Sequence, residues 1–196
     1  MTWGDMLDEP THIPARVRAA QQAGFPFSCD NRTGSLLRTL VASKPGGRVL
    51  ELGTGIGVGT AWLLDGMDPT SRLTTIEADP ATAARARTVI DEDDRAELVV
   101  ADAAEWLRNH TGPPFDFAFV DCLIGKFTSR HLVLANLSPG AFYIGDDLLP
   151  VPTWPDEHES RVTDFLDAIT GEPHVLATLM RWSTGLVVAV YRPAAM

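Results

Sequence analysis

Between Arg48 and Gly145 the chain alternates short apolar runs with stretches of helical periodicity. The runs Arg48–Leu52, Leu73–Glu77, Glu97–Ala101, Phe115–Asp121 and Ala141–Gly145 predict strands. The intervening Gly57–Asp65, Pro80–Ile90, Ala103–Arg108 and Ser129–Leu137 predict helices, the first with Ala61, Trp62 and Leu64 on its inner side. Asp79 reads as a helix cap, with Pro80 in the first turn where its missing N–H costs nothing. Upstream, Ala15–Ala23 predicts a short helix stopping at Gly24 and Pro26. A firmer helix carries Leu36, Leu37, Leu40 and Val41 and ends at Pro45-Gly46-Gly47. Downstream, Val162, Phe165, Leu166 and Ile169 place one apolar face on a helix over Glu159–Ile169.

The end of the chain breaks the alternation. His174–Arg181 and Leu186–Arg192 are apolar runs joined by Trp182-Ser183-Thr184-Gly185, with no helix between them. So tight a connection requires an antiparallel pair, because a parallel pair needs a long crossover. The expected fold is α/β: one domain with a doubly wound, mostly parallel seven-stranded sheet and a C-terminal antiparallel hairpin. Residues 1–45 form an arm with helices, and 46–196 form the core. Ligands of such sheets bind outside the carboxyl ends of the strands, so functional residues are expected just after them.

Composition narrows the partners. The 196 residues suit a single core. With 16 basic and 26 acidic residues the net charge is −10, which disfavours nucleic acid and anionic membrane surfaces and points to a small molecule. Cys29 and Cys122 make neither a disulfide framework nor a metal-site spacing. Met1–Pro10 is polar and acidic, unlike a secretory signal, and the longest apolar run, Gly185–Tyr191, is too short to span a bilayer. The cytoplasm is the expected location.

The first strand runs into Glu51-Leu52-Gly53-Thr54-Gly55-Ile56-Gly57 and then a helix. A dinucleotide fingerprint requires a third glycine at Val58 or Thr60, depending on register, and neither position supplies it. No Gly-Lys-Ser/Thr follows, so the phosphate-loop pattern fails too. Glu77 ends the second strand, where a carboxylate can accept hydrogen bonds from both hydroxyls of a ribose. Asp102 ends the third, where it can serve as a helix cap, as an acceptor for an exocyclic amine, or as both. The E-L-G-T-G-x-G pattern resembles motif I of the class I S-adenosylmethionine methyltransferases, which have a Rossmann-like fold. By that resemblance Gly53, Thr54, Gly55 and Gly57 face the amino-acid part of S-adenosylmethionine, and Glu51 lies near its amino group or orders the loop. Glu77 and Ala78 take the ribose, and Asp102 and Ala103 meet the adenine edge.

Asp121 follows the fourth apolar strand, and Asp146-Asp147 follow the fifth. Three carboxylates at adjacent strand ends repel one another unless something positive sits among them. A hard divalent cation is one candidate, and the cofactor's sulfonium region with Lys126 is the other. The layout from about Thr33 to Tyr191 resembles the metal-dependent catechol and caffeoyl-coenzyme A O-methyltransferases, with Thr33-Gly34-x-Leu36-Leu37 matching a segment near the cofactor carboxylate. The resemblance implies that Asp121, Asp146 and Asp147 ligate Mg²⁺ or a similar ion, that Asp121 also borders the cofactor, and that Lys126 takes the acceptor's proton. Two departures stand out. The family has Asp-Asn where this chain has Asp146-Asp147, and its lysine falls where this chain has Ile124.

The implied activity is O-methylation of a small hydroxylated molecule. A metal-independent N- or C-methyltransferase and a non-catalytic cofactor-binding protein are the competing readings. His158, just past the Asp146-Asp147 loop, is a further site candidate. The proline-rich Leu148–Pro155 reads as a stiff loop bringing Trp154 over the site. Trp62 and Trp106 fall at core spacing. Trp182 is expected at the rim of the acceptor pocket or in the contact of a homodimer.

Overall fold

The computed structural model describes residues 10, 12–150 and 157–193. The readings of Met1–Glu9 and of Trp154 lie outside the described residues. The helices are α1 (Ala15–Gln22), α2 (Asn31–Val41), α3 (Val58–Gly66), α4 (Pro80–Ile90), α5 (Ala103–Asn109), α6 (Arg130–Ala135) and α7 (His158–Thr170). The strands are β1 (Arg48–Leu52), β2 (Arg72–Glu77), β3 (Ala96–Val100), β4 (Phe115–Val120), β5 (Leu137–Gly145), β6 (Val175–Met180) and β7 (Leu186–Tyr191).

All seven strands form one sheet in the order β3-β2-β1-β4-β5-β7-β6. β1 pairs parallel with both β2 and β4, and β7 runs antiparallel to β5 and β6. The order reverses between β1 and β4, which opens a crevice at their carboxyl ends. Two apolar layers cover the sheet. One holds Val17, Leu37, Trp62, Leu63, Val89 and Ile90 from α1–α4. The other holds Leu107, Val133, Phe165 and Ile169 from α5–α7. Trp62 is a core residue as expected, whereas Trp106 is half-buried and stacks on His110.

Two elements differ from the periodicity. Helix α3 is buried on every side from Val58 to Leu64, because it lies between the sheet and helices α1, α2 and α4. A helix so enclosed needs no polar face. Strand β5 begins at Leu137 rather than Ala141. Leu137 pairs with Phe115, the register then shifts, and Phe142 pairs with Phe117. The bulge absorbs Pro139-Gly140.

Candidate active site

The glycine loop is held at the carboxyl end of β1 by neighbours on both sides. The amides of Gly53 and Thr54 donate to the Ile76 carbonyl at 3.0 and 3.2 Å. Gly53 has φ +90°, and a Cβ there would lie 2.6 Å from the Asp121 carbonyl oxygen, so only glycine fits. The amide of Gly55 donates to Glu77 Oε2 at 2.9 Å, and that of Asp79 to Glu77 Oε1 at 3.0 Å. Each carboxylate oxygen of Glu77 is thereby anchored, with a lone pair left for a ligand.

Glu51 is fully buried beneath this loop. Its Oε2 accepts from Thr60 at 2.5 Å and Thr75 at 2.6 Å, and Thr75 is bonded in turn to Thr54. Burial pushes the carboxyl up to about 7, against the lowering effect of the two threonine bonds. Of the two sequence readings for Glu51, the geometry matches the ordering of the loop.

A cavity of about 350 Å³ opens at the carboxyl ends of β1–β4. Gly53, Thr54, Gly55, Glu77, Ala78, Asp102, Ala103 and Asp121 all line it, so these candidates are brought together. Asp102 also caps α5 by accepting from the Glu105 amide at 2.8 Å. Three of the cofactor candidates fall outside the lining. Glu51 lies below the loop. Gly57 is the left-handed residue that opens α3. Thr33 is buried at the start of α2, where its hydroxyl donates to Ser183 Oγ at 3.0 Å. Sequence reasoning missed Phe25, Ser28 and Cys29 on one wall and Cys122, Leu123 and Ile124 on another. The signal for the first group was Phe25 and Phe27 flanking a proline in an otherwise polar arm. For the second it was only proximity to Asp121.

The carboxylate end is built differently. Asp146 is buried, and its Oδ1 accepts from Thr184 Oγ1 and from the Asp147 amide at 2.7 Å. Burial and the neighbouring Asp147 push its carboxyl up to about 6. Burial also raises Asp121 well above the usual carboxylate range, reinforced by Asp146 and opposed by Lys126. Lys126 is only 3% exposed, and its Nζ donates to the Asp146 carbonyl at 2.7 Å. It does not line the cavity. His158 hydrogen-bonds the backbone of Asp147, and its ring meets Phe127 edge-on. Burial and then Lys126 hold the imidazole below its ordinary value. Trp182 Nε1 donates to the Arg32 carbonyl at 3.1 Å, docking the β6–β7 turn onto α2.

The metal expectation is tested by the donor set. Among the described residues no three His, Cys, Asp or Glu side chains converge to hold a metal ion. Asp121, Asp146 and Asp147 share one end of the sheet without forming a ligand cage. The physical reason is that Asp146 is turned onto Thr184 and the next amide, while an ammonium already sits against its backbone. The residues present do not fit a divalent cation.

A family model described as a methyltransferase domain matches residues 50–148. A catechol O-methyltransferase of Mycobacterium tuberculosis is 35% identical over 118 residues, which are 58% of this chain and 53% of that protein. A catechol O-methyltransferase of Niastella koreensis is 29% identical over 72% of this chain and 67% of its own length. The alignment with the mycobacterial relative thus spans about half of that protein. Among solved structures, an O-methyltransferase from Bacillus cereus in complex with SAH superposes with a TM-score of 0.83 at 25% identity, covering 96% of each chain. Among the described residues no helix is long and apolar enough to cross a membrane.

Proposed function

The chain belongs to the methyltransferase-domain family, and on that premise we propose that it moves a methyl group from S-adenosylmethionine to a hydroxyl of a small molecule. One observation carries this reading: the cavity at the ends of β1–β4 contains the glycine loop and the anchored Glu77 carboxylate side by side. The names of its curated relatives favour oxygen over nitrogen or carbon as the acceptor atom. Bound S-adenosylmethionine supplies an electrophilic methyl on a sulfonium.

The residues present suit that cofactor. Glu77 would accept the ribose hydroxyls with the lone pairs that Gly55 and Asp79 leave open. Asp102 and the Ala103 backbone would meet the adenine edge. The turn at Gly53–Gly55 lets the main chain come close to the amino-acid part. Asp121, which lines the cavity at the end of β4, borders the acceptor side. Positioning the acceptor in line behind the methyl provides much of the rate, so rigid strand ends are the right place for these groups. A homodimer in the cytoplasm completes the reading.

The test is transfer of labelled methyl from S-adenosylmethionine to a panel of catechols and other small hydroxylated aromatics. Label on an acceptor oxygen supports the reading. Label on nitrogen or carbon only, or saturable cofactor binding with no turnover on any acceptor class, overturns the O-methyltransferase assignment.

A further inference from the structure

The segment after β4 folds back on itself. The amide of Gly125 donates to the Thr128 carbonyl at 2.7 Å, and that of Phe127 to the Leu123 carbonyl at 3.0 Å. Tyr143 Oη donates to the Gly125 carbonyl at 2.5 Å. Gly125 has φ +92°, and a Cβ there would lie 3.0 Å from Leu52, Val120 and Val133. The loop is therefore fixed against the strand ends, and it turns Lys126 inward. The lysine stem passes Gly145, and its ammonium reaches the Asp146 carbonyl. Burial raises the carboxyls of both Asp121 and Asp146, and the lysine's charge opposes that rise. A buried ammonium persists only where opposite charge and acceptors surround it, and buried carboxylates have the same need.

We infer that Lys126 is the resident cation beside Asp121 and Asp146, taking the place of a divalent metal, so that this site works without one. The inference rests on the methyltransferase reading only for what the site does. The charge arrangement itself is independent of that reading. Lys126 is then a positioning residue: it fixes the backbone between β5 and the following loop and offsets the carboxylate beside the cavity. The register difference in the sequence has the same meaning. Its lysine comes two positions later than the family's, which places it under the strand ends instead of at the acceptor.

The experiment is titration of the full chain with Mn²⁺, followed by electron paramagnetic resonance, with SAH present and absent. The wild type should hold Mn²⁺ no more tightly than about 1 mM, the weak limit of oxygen-ligand sites. Lys126→Met leaves the carboxylates without their cation and should tighten Mn²⁺ at least about tenfold. Micromolar stoichiometric Mn²⁺ binding by the wild type, abolished in Asp146→Asn, would overturn the assignment, as would unchanged weak binding in a folded Lys126→Met. If that variant fails to fold, the wild-type and Asp146→Asn titrations decide alone. SAH calorimetry on the same samples keeps the two readings separate, because loss of cofactor binding sinks the methyltransferase proposal and leaves the cation result standing.

Discussion

The two ends of the crevice are held together by different means. At the ends of β1–β3, the glycine loop, Glu77 and Asp102 are fixed mainly by backbone amides, those of Gly53–Gly55 reaching from β1 to the neighbouring end of β2 and those of Asp79 and Glu105 coming from the following turns. At the ends of β4 and β5, Asp146 is held by Thr184 from the C-terminal hairpin and by a folded-back loop carrying Lys126. The first arrangement uses main-chain donors at neighbouring parallel strand ends, so it follows from the pairing of β1 with β2. The second is assembled from segments far apart in sequence, so a two-residue slip in one of them changes which groups meet. The sequence keeps the family pattern at the first end and departs from it at the second, at Asp147 and Lys126.

The largest expected effect tests how the cofactor end is built. The Glu51 carboxyl titrates near 7 in the fold and near 4.5 when unfolded. The folded state therefore binds more protons between those values, and stability falls as pH rises from 4.5 to about 7, by about 3 kcal/mol. Glu51→Gln should remove its share of that slope in denaturant melts across this range, leaving the contributions of Asp146, between 3.8 and about 6, and of the raised Asp121. An unaltered slope would show that the loop is not seated on a protonatable carboxyl. Next comes Glu77→Ala, which should weaken SAH binding roughly 100-fold while shifting the melting temperature little. Thr184→Val removes the donor to Asp146 and should lower kcat about tenfold with SAH affinity unchanged. If affinity falls in step, the two ends are not independent. The smallest effect is expected of Trp182→Phe, which loses one bond to Arg32 and about 1 kcal/mol of stability in urea melts.

The same contrast governs what could be read in advance. The strands, the hairpin and the cavity lining follow from periodicity and from residues adjacent to strand ends, so Glu77, Asp102 and Asp121 lie at the strand ends around the cavity. Glu51 was legible as a motif residue, but its partners Thr60 and Thr75 belong to a helix and a neighbouring strand, and only the pairing of β1 with β2 brings them together. Thr33 reads as a cofactor contact, yet α2 packs it against the distant hairpin turn. The metal reading meets the same limit: three aspartates at strand ends say nothing of the rotamer that turns Asp146 toward Thr184. The walls from Phe25 to Cys29 come from an irregular arm, for which periodicity carries no information.

Titration calorimetry of the wild-type chain with SAH tests the central claim most directly. The account predicts a single saturable site of micromolar affinity that Glu77→Ala weakens and chelator leaves unchanged. No measurable heat at any concentration of a folded sample, or saturable binding indifferent to Glu77→Ala, would contradict it.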